Sequence, residues 1–469
     1  MINKAVYSYP ELITIFSRDK FFNINESAVC FGISTDSRTL EKGNAFVALK
    51  GETFDGHDKI DEVFEKGALI AVVDEGWLEN NQSYKNKYSL ISVKDTLTSL
   101  HKLAKFHRNR FKIPILAIGG ANGKTTTKNM TAHLLSKNFS VHKTFENFNN
   151  QVGVPMMLLS LDDSYDIAVL EIGTNEPGEI SILSNMIEPT HGLITNIGKE
   201  HLEKLIDLDG VEFEETFLFG FLHKRNGTAF INFDDERLKK YSKILENAIT
   251  FSSIEDAKIK AEIQFNERLN PSINFLFEGR SFLANLKTNG HTTALNAIAA
   301  TSIALYFGLT DEEIVSGLES YEEHLGHGYA RMVIERINNF TLLNDCYNAN
   351  PDSMSAALNS LKQIVSKGKK IAVLGDMREL GEASSNEHLN LLRKAIGNAD
   401  MVFITGIEMQ KAFNSEFRNS EIKYFDDKIS LFNNLADNLK GDETIMVKGS
   451  RGMAMESIIK LFKERFSIK

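Results

Sequence analysis

Short apolar runs that stop at glycine or at polar residues recur along the chain, with helical stripes between them. ILAI at residues 115–118 predicts a buried parallel strand. DIAVLE ending at Glu171, HGLITNIG ahead of Glu200 and His201, and GTAFINFDD with Asn232, Asp234 and Asp235 repeat the pattern. So do TLLND breaking at Asp345, KIAVLGDM, ADMVFITG and ETIMVKGSRG in the last third. Residues 95–110 put Leu97, Leu100, Leu103 and Ala104 on one stripe and predict an amphipathic helix. INFLFEGRSFLANLKT predicts a hairpin over residues 273–288, and a helix starts near Thr292. At the front, MINKAVYSYPELITIF predicts an amphipathic helix start, and NAFVALKG and ALIAVVDE two strands. Strands alternating with helices predict an α/β fold. The pattern divides into residues 1–93, residues 94–328 and a doubly wound, Rossmann-like stretch from residue 329 to 469.

The strand at 115–118 runs into Gly119, Gly120, Ala121, Asn122, Gly123, Lys124, Thr125 and Thr126, and then into a helical pattern. Strand, glycine-rich turn, Lys-Thr and helix form the layout of a phosphate-binding loop. Its backbone N–H groups and helix N-terminus hold anionic oxygens. Gly120, Asn122, Gly123, Lys124, Thr125 and Thr126 are the nucleotide-binding candidates, with Lys124 directed to phosphate and Thr125 to Mg²⁺. The loop is a variant of G-x-x-x-x-G-K-[ST], because Ile118 stands where the first glycine belongs. In an open parallel sheet the carboxyl ends of strands face the ligand crevice. That places Lys124, Glu171, His201 and Asn232 to converge, with Glu171 and His201 as metal candidates. Asp36, Ser37, Arg38, Lys50, Asp55 and His57 crowd polar groups near turns, where Arg38 and Lys50 suit a phosphate or carboxylate.

Composition leaves this picture intact: 469 residues, 42% hydrophobic and 25% charged, suit a multidomain globular protein. A net charge of −10 argues against a nucleic-acid partner. Two distant cysteines, Cys30 and Cys346, form neither a disulfide framework nor a metal motif. Without a signal-peptide layout or a membrane-length apolar run, a cytoplasmic protein with no membrane insertion is expected.

STDSR with KGETFDGH, GGANGKTTTK, ENFNNQVGVP, EIGTNEPGEI, TNIGKEHLE, DCYNANPDSM, VLGDMRELG and VKGSRG together resemble the Mur ligases. YNANP and LGDMRELG are most similar to the branch that adds D-alanyl-D-alanine. The resemblance implies three domains, with a central P-loop ATPase domain and a Rossmann-like C-terminal domain. It implies ATP and Mg²⁺, a UDP-N-acetylmuramoyl-tripeptide and D-alanyl-D-alanine as reactants, and an acyl phosphate on the way; a monomer is expected. Ser34, Asp36, Ser37, Arg38, Lys50, Asp55 and His57 would hold the UDP part. Lys124, Thr125, Glu171 and His201 would serve ATP and Mg²⁺, and Asn149 and Asn150 would place the substrate. Asn232 and Asn296 match positions that meet adenine. Arg331 and Asp345 would close over the nucleotide, with Asn348 and Asn350 beside them.

Three positions depart from the family pattern. Glu215 stands where the family usually has a lysine that is carbamylated to bridge metal, so its own carboxylate is the expected replacement. Thr292 and Thr293 replace a usual His-Asn, and Glu146 replaces a usual glycine. Two other readings stay open: a catalytically weak nucleotide- and UDP-sugar-peptide-binding homologue with a regulatory role, and an amide ligase for another nucleotide-linked substrate.

Overall fold

The structure is a computed structural model that describes residues 3–322, 331–418 and 421–467. The predicted boundary at residues 328–329 lies outside the described residues. The chain forms two compact units. The first comprises Met1–Ala117, Phe139–Gly173 and Gly178–His191; the second comprises Ile118–Asn138, Thr174–Pro177 and Gly192–Lys469.

The first unit contains a five-stranded sheet in the order Phe21–Phe22, Leu90–Val93, Ile70–Asp74, Ala45–Val47, Ile33–Ser34. Only the Phe21–Phe22 edge strand is antiparallel. Leu90–Val93 and residues 70–73 are buried throughout, as a sheet covered on both faces requires. The strand Ile167–Glu171 pairs in parallel with Val141–Lys143. The helix Thr96–Arg108 has the predicted stripe, and Asp95 caps it by accepting from the Thr98 amide at 2.6 Å. The front of the chain differs from expectation. Val6–Ser8 is a strand paired with Val29–Phe31, and the helix covers only Tyr9–Phe16. The Glu11 carboxylate accepts from the Ser8 amide at 2.8 Å and from its hydroxyl at 2.9 Å, and Pro10 fits the first turn.

In the second unit Thr228–Asn232, Ala248–Ser252 and Ile259–Phe265 pair in parallel. The predicted hairpin follows as Pro271–Phe277 and Arg280–Asn285. The helix His291–Tyr306 packs on the helix Lys124–Leu135. A six-stranded sheet has the order Val333–Ile337, Phe340–Asp345, Thr444–Lys448, Lys370–Leu374, Met401–Thr405, Ile422–Phe425. All but its first pairing are parallel, so the doubly wound expectation holds. Its apolar strands are sandwiched between helices, with Leu343, Ala372 and Ile404 on one side and Val373, Phe403 and Val447 on the other.

One charge pair is built into this sheet. Lys448 Nζ donates to Asp345 Oδ2 at 2.7 Å and to the Asn348 carbonyl at 2.9 Å, with the Lys448 side chain only 3% exposed. Asp345 Oδ1 in turn accepts from the Met332 amide at 3.1 Å. Removing one partner of such a pair strands the other charge. Lys448→Ala is expected to lower stability by about 3–5 kcal/mol, read as a lower urea midpoint. A midpoint equal to wild type would show that Asp345 is solvated without its partner.

Candidate active site

Gly120 turns out of the strand Ile115–Gly119 at φ 107, and a Cβ there would lie 2.4 Å from Thr195 Oγ1. Only glycine fits such a turn. The Ala121 amide donates to the Asn196 carbonyl at 2.9 Å and the Asn122 amide to Asn196 Oδ1 at 3.1 Å, while Asn196 Nδ2 returns a bond to the Asn122 carbonyl at 2.8 Å. Gly123, at φ 85, precedes the helix Lys124–Leu135, and a Cβ on it would meet Asn296 Oδ1 at 2.3 Å. The predicted strand–loop–helix is therefore present and braced from the segment after the strand His191–Ile194. Its helix N-terminus offers partial positive charge to an anion.

Two buried carboxylates stand against this loop. Lys124 Nζ donates to the Gly120 carbonyl and lies 3.3 Å from Glu200 Oε2. Glu215 is fully buried; its Oε2 accepts from the Gly120 amide at 2.7 Å. A buried N–H left without an acceptor costs about 1–3 kcal/mol. The remaining oxygens, Glu200 Oε1 and Glu215 Oε1, are buried without a hydrogen-bond partner. Burial, reinforced by Glu200, pushes the Glu215 carboxyl up to about 8 against the pull of Lys124 and the Gly120 amide.

Later residues of the same unit reach this loop. Arg331 Nη2 donates to Thr125 Oγ1 at 3.1 Å, with its guanidinium 4.0 Å over the Tyr347 ring. Asn350 Nδ2 donates to Asn122 Oδ1 at 3.0 Å while Asn350 caps the helix Pro351–Gln363. Asn348 Oδ1 accepts from the Ala349 amide at 2.9 Å. Asp352, not singled out in the sequence, accepts from the Lys199 amide at 2.7 Å. Asn232 uses both ends of its amide on the Thr195 carbonyl at 2.9 Å and the Asp234 amide at 3.0 Å. His201 has left-handed backbone (φ 48), and its Nδ1 lies 2.6 Å from Glu379. That contact holds the Glu379 carboxyl below the usual range. Thr126 is buried in the first turn of the loop helix. Thr293, in place of the usual asparagine, bonds back to the Asn289 carbonyl at 2.8 Å.

In the first unit, Glu171 ends the strand Ile167–Glu171 and accepts from Asn149 Nδ2 at 2.8 Å. Asn150 Oδ1 accepts from the Gly153 amide at 2.8 Å. Glu146 has φ 46, which accounts for a glycine preference at that position. The Arg38 guanidinium holds the Asp36 carboxyl below its usual range through contacts of 2.6–3.1 Å. Ser34 Oγ donates to the Asp36 carbonyl at 2.9 Å, and the Ser37 carbonyl accepts from Lys66 Nζ at 2.8 Å. Lys50 is 75% exposed and 4.0 Å from Asp55. His57 is buried, with Nδ1 2.5 Å from Asp55 and Nε2 accepting from the Asp74 amide at 2.9 Å. The ring ties the turn to the end of the strand Ile70–Asp74, and Arg38 and Lys50 are exposed.

Comparison with known proteins gives this geometry its context. Residues 31–108 match the Mur ligase family catalytic domain, residues 118–304 the Mur ligase middle domain, and residues 330–451 the Mur ligase glutamate ligase domain. The chain is 32% identical over 446 residues to the UDP-N-acetylmuramoyl-tripeptide–D-alanyl-D-alanine ligase of Bacillus subtilis, covering 93% of each. It belongs to the Mur ligase family. Among solved structures, MurF of Acinetobacter baumannii superposes with a TM-score of 0.87 at 28% identity, covering 99% of this chain and 100% of that one. MurF of Thermotoga maritima, solved with ADP, gives 0.82 at 26% identity, covering 92% and 97%. Members of this family are ATP-dependent amide-bond ligases, and the phosphate loop described above lies within the matched middle domain.

The Glu215 carboxyl also gives the site a pH signature. Its proton is held more tightly in the folded protein than in the unfolded chain, whose ordinary value is 4.5. The stability it confers is complete below that value and is lost as pH rises toward about 8. The difference in unfolding free energy between wild type and Glu215→Gln, measured without metal, is expected to decline across this window. A constant difference would show that Glu215 ionises normally.

Proposed function

We propose that this protein is the ligase that joins D-alanyl-D-alanine to a UDP-N-acetylmuramoyl-tripeptide at the expense of ATP, a step in making peptidoglycan precursors. The observation that carries this reading is the end-to-end correspondence with the Bacillus subtilis ligase of that name, 93% of either chain. Residues 1–93 serve the UDP part of the substrate, residues 94–328 serve ATP, and residues 329–469 form the Rossmann-like partner domain. No helix among the described residues is long and apolar enough to cross a membrane. The proposed setting is the cytoplasm, and the proposed form a monomer.

The residues fit Mg²⁺. Among the described residues no three of His, Cys, Asp and Glu form a ready-made metal cluster. Mg²⁺ does not need one, since it binds through one or two carboxylates together with substrate phosphates and water. Thr125 and Glu171 are the proposed ligands of one ion and His201 and Glu215 those of a second, and Glu215 Oε1 is a buried hard oxygen without a hydrogen-bond partner. When bound, the ion neutralises phosphate oxygens as charge shifts between them.

The chemistry follows from charge placement. A carboxylate oxygen of the tripeptide attacks the γ-phosphorus, the bond to ADP breaks, and an acyl phosphate forms. The D-alanyl-D-alanine amine then attacks the acyl carbon, inorganic phosphate leaves with the C–O electron pair, and the nitrogen loses a proton. Phosphoryl transfer calls mainly for positioning and neutralisation. The N-terminus of the helix Lys124–Leu135, held in place by the bonded loop amides, supplies the cradle. Lys124 exchanges Glu200 for phosphate oxygens, and Arg331, already on Thr125, adds a second positive charge. Asn232 and Asn296 border the adenine, with Asp345, Asn348 and Asn350 ordering the segment beside it. Asn149 and Asn150 place the acceptor strand of the substrate, whose nucleotide end meets Arg38 and Lys50. Excluding water protects the acyl phosphate.

The deciding experiment is phosphate release from ATP with each substrate omitted in turn. Release requiring both the tripeptide and D-alanyl-D-alanine is expected. Nucleotide binding without release would favour a regulatory homologue, and release with a different amine would favour another ligase. Lys124→Ala is expected to lower kcat by several orders of magnitude, whereas a change of less than about tenfold, about 1.4 kcal/mol, would remove it from the phosphate site.

A second prediction separates Glu215 from a lysine carbamate. Because its carboxylate needs no CO₂, turnover should be the same in bicarbonate-free and bicarbonate-supplemented buffer. Stimulation by bicarbonate would place a carbamate elsewhere in the site.

A further inference from the structure

Three successive amides enter the phosphate loop, and they are satisfied differently. Those of Ala121 and Asn122 go to Asn196, on the adjoining segment. That of Gly120 goes to Glu215, 95 positions along the chain. The Gly120 carbonyl accepts from Lys124 Nζ. One residue at the loop's turning point is thus gripped through both its N–H and its C=O.

Glu215 is well built for such a grip. It ends the helix Leu208–Glu215 and is fully buried. That helix is anchored at its start by Asp207, which accepts from the Gly210 amide at 2.9 Å. It is anchored along its side by Glu212, which accepts from Arg237 at 2.9 Å and from Tyr241 at 3.1 Å. The acceptor therefore sits on a fixed base and the loop is the part being set. Gly120 itself cannot be held by side-chain packing, because any Cβ there strikes Thr195.

We infer that Glu215 is a positioning residue for polyphosphate binding: its Oε2 fixes the Gly120 peptide and so sets the loop that follows in its anion-binding shape. The inference rests on the reading of this loop as a nucleotide site, and it assigns Oε2 a task independent of any metal at Oε1. What matters is an acceptor at that atom, so an amide oxygen serves as well as a carboxylate. Loss of the acceptor leaves the Gly120 N–H buried and unpaired, and the loop rearranges to satisfy it.

The test is ADP binding by calorimetry in excess EDTA, where no metal ligand contributes. Glu215→Gln is expected to bind within about threefold of wild type, and Glu215→Met at least about tenfold more weakly, the scale of a buried hydrogen bond lost. Circular dichroism and urea unfolding check that each variant is folded. Amide exchange of Gly120, followed by NMR in wild type and Glu215→Gln, gives a readout that survives a misfolded methionine variant: the amide should be protected in both. Metal-free ADP affinity unchanged in Glu215→Met would overturn the inference, as would Glu215→Gln binding as poorly as Glu215→Met. Exchange of the Gly120 amide at the rate of an exposed one would do the same. Effects confined to Mg²⁺-containing buffer would leave Glu215 a metal ligand only and overturn the positioning role. Failure of wild type to bind ADP at all would strike the nucleotide reading and this inference with it, whereas binding by wild type with normal affinity in Glu215→Met strikes this inference alone.

Discussion

The turn at Gly120 is the constraint on which the site depends. Its backbone lies so close to Thr195 that no side chain fits, and its positive φ sends the chain back over the strand it has just left. With that turn made, the Ala121 and Asn122 amides meet Asn196, Gly123 starts the helix, and Lys124 falls beside Glu200. Arg331 and Asn350 then find Thr125 and Asn122 in place. The cost of ordering a glycine-rich segment is met largely by bonds from its backbone to the Asn196, Glu215 and Lys124 side chains, with one to the Asn196 carbonyl.

Much of this was legible in one dimension. The apolar runs before Gly119, Glu171, Asn232 and Asp345 are strands, and the hairpin and the doubly wound sheet came out as the periodicity implied. The missing first glycine of the loop pattern did not matter, because Gly120 makes the turn. What the pattern could not supply was partnership. Lys124 meets Glu200 across 76 positions and Asp345 meets Lys448 across 103. Periodicity tells which way a side chain faces and nothing about which distant residue awaits it. His57 shows the same limit from the other side: the sequence marks it only as a polar residue near a turn, whereas its ring bridges Asp55 and the Asp74 amide at the end of the strand Ile70–Asp74. At the front of the chain, Ser8 and Pro10 carried a helix-start signal that outweighed the apolar spacing before it.

The departures from the family pattern also find local physical settings. Glu146 occupies a left-handed backbone position where glycine is the unstrained choice. Thr293 turns its hydroxyl back onto the Asn289 carbonyl just before its helix, leaving less of it to offer a ligand than an asparagine would have. Glu215 is the departure with the widest contacts, since it is buried against the loop itself. Its surroundings act on it in opposite senses: burial and Glu200 favour its protonated form, while Lys124 and the Gly120 amide favour the carboxylate.

The order of strands in the six-stranded sheet has a consequence for how the protein is made. Thr444–Lys448 lies between Phe340–Asp345 and Lys370–Leu374, although it is synthesised after both. On the ribosome, those two strands emerge with no partner between them, leaving facing edges unpaired while about another seventy residues are added at roughly 5–20 residues per second. Until residue 448 clears the exit tunnel, Asp345 also lacks its ammonium. The two halves of the sheet, Val333–Ile337 with Phe340–Asp345 and Lys370–Leu374 with Met401–Thr405 and Ile422–Phe425, are therefore joined only when the last strand arrives between them.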